Sequence, residues 1–224
     1  MDKNLDKQIT QYLSDNRDNF INDLRKLLSF NSVKGEAKPG KPFGEEPAKA
    51  LDFMQSLCDE AGLHTTNYDY YCMDACIGEG EETIGVLSHM DIVPAGEGWD
   101  YPPFAGEMKG SLMYARGVMD DKGPAMAAFY AVKALIDAGV KLNKTVKLIF
   151  GSDEETGMSD MTYYLKKTKA PDYAFSPDAD FPVIYAEKNI MGGRYEGKVA
   201  GSTILASMSG GTATNAVPNS AEAV

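Results

Sequence analysis

At residues 83–91 the chain reads TIGVLSHMD, a short apolar run that leads directly into a histidine and an aspartate. Such a run predicts a strand buried on both faces of a sheet. A second apolar run, TVKLIF at residues 145–150, leads into the acidic loop 153–155. A third, DYAFS at residues 172–176, is followed by Asp178. The shared pattern predicts three core strands, each with acidic or imidazole side chains at its carboxyl end.

Helical patterns lie between these strands, and their alternation predicts the fold class. The further predicted elements are helices over residues 3–29, 45–61, 123–138 and 159–167, an edge strand over 63–71, and a hairpin over 107–117. Strands that alternate with helices favour an α/β fold with a largely parallel sheet. We therefore expect a three-layer sandwich around a mixed, largely parallel central sheet.

The composition changes after about Glu187, which predicts a domain boundary. Glycine, serine and threonine dominate residues 202–214, and a strand-like segment at 193–199 precedes them. We expect a first domain over residues 1–187 and the opening strands of a second, α+β domain over 188–224. Because the sequence stops in mid-pattern, we also expect the chain to be a fragment.

Charge and hydropathy exclude several classes of function. The 224 residues include 22 Lys and Arg against 33 Asp and Glu, a formal net charge of −11, whereas phosphate binding needs a basic face. We therefore expect no nucleic-acid partner. No apolar run approaches the roughly 18 residues needed to span a bilayer, and the N-terminus lacks the apolar core of a signal peptide. We expect no membrane partner and a cytoplasmic location.

The strand ends carry the side chains of a metal site. Ligand sites in open α/β sheets lie outside the carboxyl ends of the strands, so the three ends should converge. A fourth acidic segment, Asp120-Asp121, precedes a predicted helix. Several carboxylates cannot share a dry site while ionised unless a cation lies between them. Imidazole with carboxylates suits zinc, or less selectively cobalt or manganese.

The spacing of these residues also predicts roles. In a strand, His89 and Asp91 point the same way, so Asp91 can accept the imidazole N–H and orient the ring. Of the adjacent Glu154 and Glu155, one can bind metal and the other can take a proton from water. Each cluster alone has a structural explanation, such as a helix cap or a solvated turn. Four clusters at strand ends together favour a metal site.

These residues resemble the di-zinc metallopeptidase family that includes carnosinase, aminoacylase, glutamate carboxypeptidase and succinyl-diaminopimelate desuccinylase. The matching motifs are SHMDIVP at 88–94, GW at 98–99 with PF at 103–104, RGVMDDKG at 116–123, DEETG at 153–157 and PDADFP at 177–182. The last motif resembles the bacterial PepV and Xaa-His dipeptidase branch. The resemblance implies a zinc-peptidase-like catalytic domain over residues 1–187 and a truncated lid domain over 188–224.

The resemblance implies a ligand set for two zinc ions. His89 and Asp178 would bind the first zinc, and Glu155 would bind the second. Asp120 would bridge both ions, with a cis peptide bond to Asp121. The family supplies the second zinc with a further histidine, and no histidine follows His89 in this sequence.

The implied reaction is zinc-dependent hydrolysis of the peptide bond of dipeptides, with small peptides as substrates. Glu154 would act as general base on a metal-activated water and then as acid, while Asp91 orients the metal-bound histidine. Asn215 would reach the substrate from the lid. Two alternatives stay open: an N-acyl amino acid deacylase or desuccinylase with the same metal chemistry, and a catalytically dead metal-binding remnant. The oligomeric state is open as well.

Overall fold

The computed structural model describes residues 3–180, 182–186, 191–197, 206–211, 217–218 and 220–224. The chain divides into two compact units, Met1–Val183 and Ile184–Val224. The interpretation of these units as a catalytic domain and a lid stays a prediction. No helix within the described residues is long and apolar enough to cross a membrane.

The first unit alternates helices and strands. Its elements are α1 (Lys3–Asp15), α2 (Arg17–Leu28), α3 (Glu45–Glu60), β1 (His64–Tyr68), β2 (Cys72–Ile77), β3 (Thr83–His89), β4 (Glu107–Lys109), β5 (Leu112–Tyr114), α4 (Lys122–Asp137), β6 (Thr145–Gly151), α5 (Ser159–Lys167) and β7 (Tyr173–Phe175). A short 3-10 turn, Glu154–Thr156, lies between β6 and α5. Strands β4 and β5 form the predicted hairpin.

Five strands form one mixed sheet in the order β1-β2-β6-β3-β7. Strand β3 is parallel to both β6 and β7, whereas β2 is antiparallel to β6 and to β1. Only β2 therefore runs against the other four strands. This arrangement confirms the prediction of a mixed, largely parallel sheet.

Helices cover both faces of this sheet. On β6, Leu148 and Phe150 join the main core with residues of α2, α3 and α4. Ile149, between them, faces the opposite side and packs with Tyr164 of α5. Because successive side chains in a strand point to opposite faces, this division defines helix, sheet and helix layers. The predicted three-layer sandwich is confirmed.

Helix α4 shows how the local sequence forms an element that supports the site. Its run of Ala, Met and Lys favours helix, and residues such as Met126 and Phe129 are fully buried against the sheet. The helix ends before Gly139, whose φ of 65° is the left-handed conformation that favours glycine at a helix end. The predicted helix over 123–138 is confirmed.

Two predicted elements near the N-terminus are wrong in detail. The single helix over 3–29 is divided at Asn16, whose side-chain amide and backbone N–H both donate to the Tyr12 carbonyl 3.0 Å away. Asparagine side chains that bind nearby backbone in this way favour helix ends over helix interiors. The strand over 63–71 ends at Tyr68, and a second strand, β2, was not predicted. Buried Asp74 interrupts the apolar pattern of β2, although the Tyr68 and Tyr164 hydroxyls bind its carboxylate.

The third predicted core strand is present as β7, but the prediction that it is buried is wrong. All three of its residues are exposed, and β7 lies at the edge of the sheet formed by the described residues. In the second unit, β8 (Met208–Gly210) pairs antiparallel with β9 (Ala221–Ala223). The strand predicted over 193–199 is absent from 193–197, which have no regular structure, and its end lies outside the described residues.

Candidate metal centre

The fold brings the predicted ligand-bearing segments to one edge of the sheet. Strands β3 and β6 pair in parallel so that His89 lies opposite Gly151, and the Met90 N–H donates to the Gly151 carbonyl 2.8 Å away. The segments that follow both strands therefore start side by side. Strand β7 pairs with β3 and ends three residues before Asp178. The predicted convergence of strand ends is confirmed.

The His89 imidazole is the centre of the cluster. Its side chain is only 4% exposed, and Nε2 lies 2.9 Å from Asp120 Oδ1 and 3.4 Å from Asp178 Oδ2. Ligand atoms of His89, Asp120 and Glu155 all lie within 4.8 Å of one another. The structure thus brings together the four residues that the family resemblance implies as metal ligands.

Asp91 binds the other side of the imidazole. His89 Nδ1 lies 3.0 Å from the Asp91 carbonyl oxygen and 3.3 Å from its Oδ1. When Nδ1 donates its proton to Asp91, Nε2 presents its lone pair to the ligand cluster. The structure therefore has the orientation that the His-x-Asp spacing predicts.

The Asp91 carboxylate has a second set of partners that the sequence did not reveal. It is almost fully buried and accepts the backbone N–H of Glu154 at 3.2 Å and that of Glu155 at 3.1 Å. These partners are more than 60 residues away in the chain, so no local spacing signals the contact. One carboxylate therefore holds both the imidazole and the turn that carries the two glutamates.

Negative charge exceeds positive charge in the cluster. Burial acts to lower the pKa of His89, but hydrogen bonds to Asp120 and Asp91 and the surrounding carboxylates raise this pKa to about 11. Burial, together with the charge of Asp120, raises the pKa of Glu155 to about 7. Burial likewise raises the pKa of Glu154. One imidazole cannot balance these carboxylates while they are ionised.

A divalent cation fits this donor set. One imidazole and several carboxylates are the ligands that zinc takes in catalytic sites, and cobalt and manganese accept them too. A cation among the carboxylates would supply the missing positive charge and keep them ionised. The hydrogen bond from His89 already lowers the pKa of Asp120, which favours its charged, metal-binding form.

The segment that leads into α4 fixes Asp120 beside His89. The Asp120–Asp121 peptide bond is cis, as the family resemblance implies. The buried Asp121 carboxylate accepts the His89 backbone N–H at 3.0 Å, and burial raises its pKa to about 7. Lys122, also fully buried, donates from its ammonium to the Phe30 carbonyl 2.8 Å away. The start of α4 is thereby joined through polar contacts to strand β3 and to the segment that follows α2.

Glycine at position 123 allows the first turn of α4 to approach this segment closely. A Cβ atom added there would lie 2.0 Å from the Val118 carbonyl oxygen, which is backbone and cannot move aside cheaply. Any larger residue would push the helix away from the loop that carries Asp120.

Asp160, in the first turn of α5, organises the loop that follows β6. Its buried carboxylate accepts the backbone N–H groups of Ser152 at 2.7 Å and Asp153 at 3.0 Å, and that of Met161 at 2.7 Å. Burial raises the pKa of Asp160, although these hydrogen bonds oppose the change. Sequence reasoning missed this residue; its only local signal is an acidic residue at a helix start. Asn215, the predicted substrate contact, lies outside the described residues.

Comparisons with known proteins identify a matching family and related chains. Residues 85–200 match the pattern of "Peptidase family M20/M25/M40". The chain is 41% identical over 215 residues to a Bacillus subtilis (strain 168) protein named "Putative dipeptidase YtjP", covering 93% of this chain and 46% of that protein. The chain thus spans about half the length of this relative.

Two solved structures share the fold. Human carnosine dipeptidase 1 superposes with a TM-score of 0.67 and 22% identity, over 76% of this chain and 40% of the human chain. The dipeptidase Dug1p of Saccharomyces cerevisiae gives a TM-score of 0.64 and 21% identity, over 75% of this chain and 38% of its own.

Proposed function

The chain belongs to the M20/M25/M40 family of peptidases, and on that premise we propose that the protein hydrolyses the peptide bond of dipeptides in a metal-dependent reaction. The observation that carries this proposal is one buried imidazole, His89, with the carboxylates of Asp120, Asp178 and Glu155 around its Nε2 edge. The 41% identity to a protein named as a dipeptidase favours dipeptides over other amides.

We assign the ligands as the family resemblance implies. His89 and Asp178 would hold one ion, Glu155 a second, and Asp120 both. Zinc is the proposed metal, with cobalt or manganese as substitutes. When bound, the metal supplies Lewis acidity, which polarises the scissile carbonyl and makes water acidic near neutral pH.

The protein's own side chains supply the proton transfers and the orientation. The Glu154 carboxylate accepts a proton from the attacking water and returns it to the leaving amine nitrogen. Burial raises the pKa of Glu154, which strengthens it as a base. Asp91 keeps the His89 ring in place through Nδ1 and holds the Glu154 backbone N–H with the same carboxylate. The base and the first metal ligand therefore share one buried support.

A substrate panel tests this proposal on the whole protein. The protein is freed of metal with a chelator, reconstituted with zinc, cobalt or manganese, and assayed on unblocked dipeptides and N-acyl amino acids. We expect dipeptide hydrolysis that disappears on chelation and returns with metal, and little turnover of N-acyl amino acids. Metal-dependent turnover of N-acyl amino acids alone would contradict the dipeptidase proposal and favour a deacylase. No turnover of either class by fully metallated protein would favour a metal-binding remnant.

Two expectations about the protein stay predictions. The cytoplasmic location and the contact of Asn215 with substrate rest on the sequence alone. The oligomeric state stays open.

A further inference from the structure

The loop between α2 and α3 contacts the segments on both sides of the candidate metal centre. Ser32 is fully buried, and its hydroxyl donates to the Met90 carbonyl at 2.5 Å. Its own carbonyl accepts the Ile92 N–H at 3.3 Å. Ser32 therefore binds the backbone on both sides of Asp91. Two residues later, Lys34 contacts the other segment.

Lys34 brackets the acidic turn, defined as Glu154–Thr156. Its ammonium donates to Asp153 Oδ1 at 2.7 Å and to Thr156 Oγ1 at 3.0 Å. Asp153 comes directly before Glu154, and Thr156 comes directly after Glu155. The ammonium thus contacts the residues on either side of the proposed base and metal ligand.

The Asp153 end of this contact is buried. The Asp153 side chain is 1% exposed, whereas that of Lys34 is 36% exposed. The Asp153 carboxylate accepts hydrogen bonds from Lys34, Ser159 and Thr156. A buried carboxylate of this kind keeps its place only while its charge is balanced. Lys34 supplies that charge, and its ammonium also lies over the Phe43 ring, with Nζ 5.0 Å from the ring centroid.

One short backbone hydrogen bond spans the acidic turn, from the Met158 N–H to the Asp153 carbonyl oxygen 2.7 Å away. Within it, the Gly157 N–H lies 3.4 Å from the Glu154 carbonyl oxygen, at the long end of hydrogen bonding. Asp91 holds the turn through the backbone N–H groups of Glu154 and Glu155. Lys34 holds it through the side chain of Asp153, which precedes the turn, and that of Thr156, its last residue.

We propose that Lys34 is a positioning residue, which fixes the acidic turn so that Glu154 and Glu155 meet substrate and metal in productive geometry. This inference rests on the proposed function. Lys34 would act without touching the reacting atoms, through Asp153 and Thr156. Displacement of a catalytic group by about 1 Å can cost on the order of a hundredfold in rate, so loss of the ammonium should reduce turnover more than substrate binding.

The first test replaces Lys34 with Met in the whole protein, which removes the ammonium and keeps the length of the side chain. We expect kcat for a dipeptide to fall about 10- to 100-fold, while KM changes less than about threefold. Lys34→Arg should recover most of kcat because guanidinium can donate to both acceptors. Lys38→Met is the matched control. Lys38 lies in the same loop, but its ammonium faces Glu45, 3.7 Å away, instead of the acidic turn, so we expect full activity.

A double variant separates positioning from simple stabilisation. Lys34→Met leaves Asp153 as an unpaired buried carboxylate, so the melting temperature should fall. Adding Asp153→Asn removes that charge, and the melting temperature should recover. The proposal expects kcat to stay low in the double variant, because the contact that fixes the turn is still missing. Recovery of kcat together with the melting temperature would show a merely structural role and overturn the proposal.

A metal titration gives a readout that does not depend on turnover. Cobalt added to the metal-free protein reports ligand geometry through its visible absorption. We expect the Lys34→Met variant to bind cobalt about tenfold more weakly and with an altered spectrum, because Glu155 is displaced. An unchanged spectrum and affinity, with unchanged kcat, would overturn the role of Lys34. If the wild-type protein fails to hydrolyse dipeptides, the proposed function fails, and the cobalt titration still decides the role of Lys34.

Discussion

Two of the strand ends at the candidate metal centre are built into the core, whereas the third lies at an exposed edge. After β3 and β6, His89, Asp91 and Asp153 are nearly fully buried. After β7, the Asp178 side chain is 28% exposed, and both aromatic residues of that strand are 58% exposed. The same sequence pattern, an apolar run followed by an acidic residue, therefore occurs in two different physical settings.

The difference lies in what stands behind the ligands. The β3 and β6 ends are held by buried carboxylates that accept backbone N–H groups: Asp121 binds His89, Asp91 binds Glu154 and Glu155, and Asp160 binds Ser152 and Asp153. Such groups fix catalytic side chains before substrate arrives. We call the segments that follow β3 and β6, with their buried carboxylates, the core half of the site. The core half should therefore determine both turnover and stability, while the β7 end should mainly affect metal affinity.

The largest expected effect is on turnover in the core half. Glu154→Gln keeps the shape of the side chain but removes its ability to accept a proton. We expect kcat for a dipeptide to fall about 10²- to 10⁴-fold, the range of general base catalysis, with unchanged metal content. Glu81→Gln, an exposed glutamate near the opposite end of β3, is the matched control. Full turnover by Glu154→Gln would show that Glu154 is not the general base and would contradict a catalytic role for the core half.

Stability provides the second comparison of the two halves. Asp160→Ala leaves the Ser152 and Asp153 N–H groups without their acceptor, so we expect the free energy of unfolding to fall by about 3 kcal/mol. Asp178→Ala, in the partly exposed end, should change it by about 0.5 kcal/mol or less. Denaturant unfolding of the metal-free protein measures both. Equal losses would break the distinction between a supported core half and an exposed edge.

At the β7 end, metal affinity should fall without a loss of stability. Asp178→Asn removes one anionic ligand while leaving the supports of the core half in place. We expect zinc affinity to fall at least about tenfold, with a melting temperature of the metal-free protein close to that of the wild type. Competition with a chromophoric chelator gives the affinity. Wild-type affinity in this variant would exclude Asp178 from the metal site.

The smallest expected effect is on the pKa of Asp172, the residue before β7, which binds Thr83 at the start of β3. Asp172 accepts hydrogen bonds from the Thr83 N–H at 2.8 Å and hydroxyl at 3.0 Å. These bonds, with Lys169, lower the pKa of Asp172 from 3.8 to about 2. Because the folded pKa is the lower one, this stabilisation is present above pH 3.8 and is lost as pH falls through about 2.

Thr83→Val removes the hydroxyl and keeps the backbone N–H. We expect the pKa of Asp172, followed by NMR titration, to rise while staying below 3.8. An unchanged pKa would show that the Thr83 hydroxyl does not hold the start of β7.

The layered fold and the position of the site could be predicted from the sequence because both depend on local pattern. Apolar runs such as residues 83–88 identify strands, and the topology of α/β sheets places their carboxyl ends together. Strand β2 could not be predicted, because Asp74 interrupts its apolar pattern and two of the residues that bind Asp74, Lys147 and Tyr164, lie 73 and 90 residues away. The exposure of β7 could not be predicted either, since its apolar residues match those of a buried strand.

The proposed ligands, and the contact of Asp91 with His89, were predictable, whereas the long-range supports of the site were not. His89, Asp120, Glu155 and Asp178 follow from residue type at strand ends and from the family resemblance. Lys34 and its partner Asp153 are 119 residues apart, and such a contact leaves no spacing signal. Long-range polar contacts of this kind become visible only once the fold is known.

Anomalous diffraction from crystals of the zinc-loaded protein tests the central claim most directly. The claim is that His89, Asp120, Glu155 and Asp178 together bind metal. We expect peaks at the zinc absorption edge within about 2.0–2.2 Å of His89 Nε2 and of the carboxylate oxygens. Ordered zinc elsewhere, or a catalytically active protein with no peak beside His89, would contradict the account.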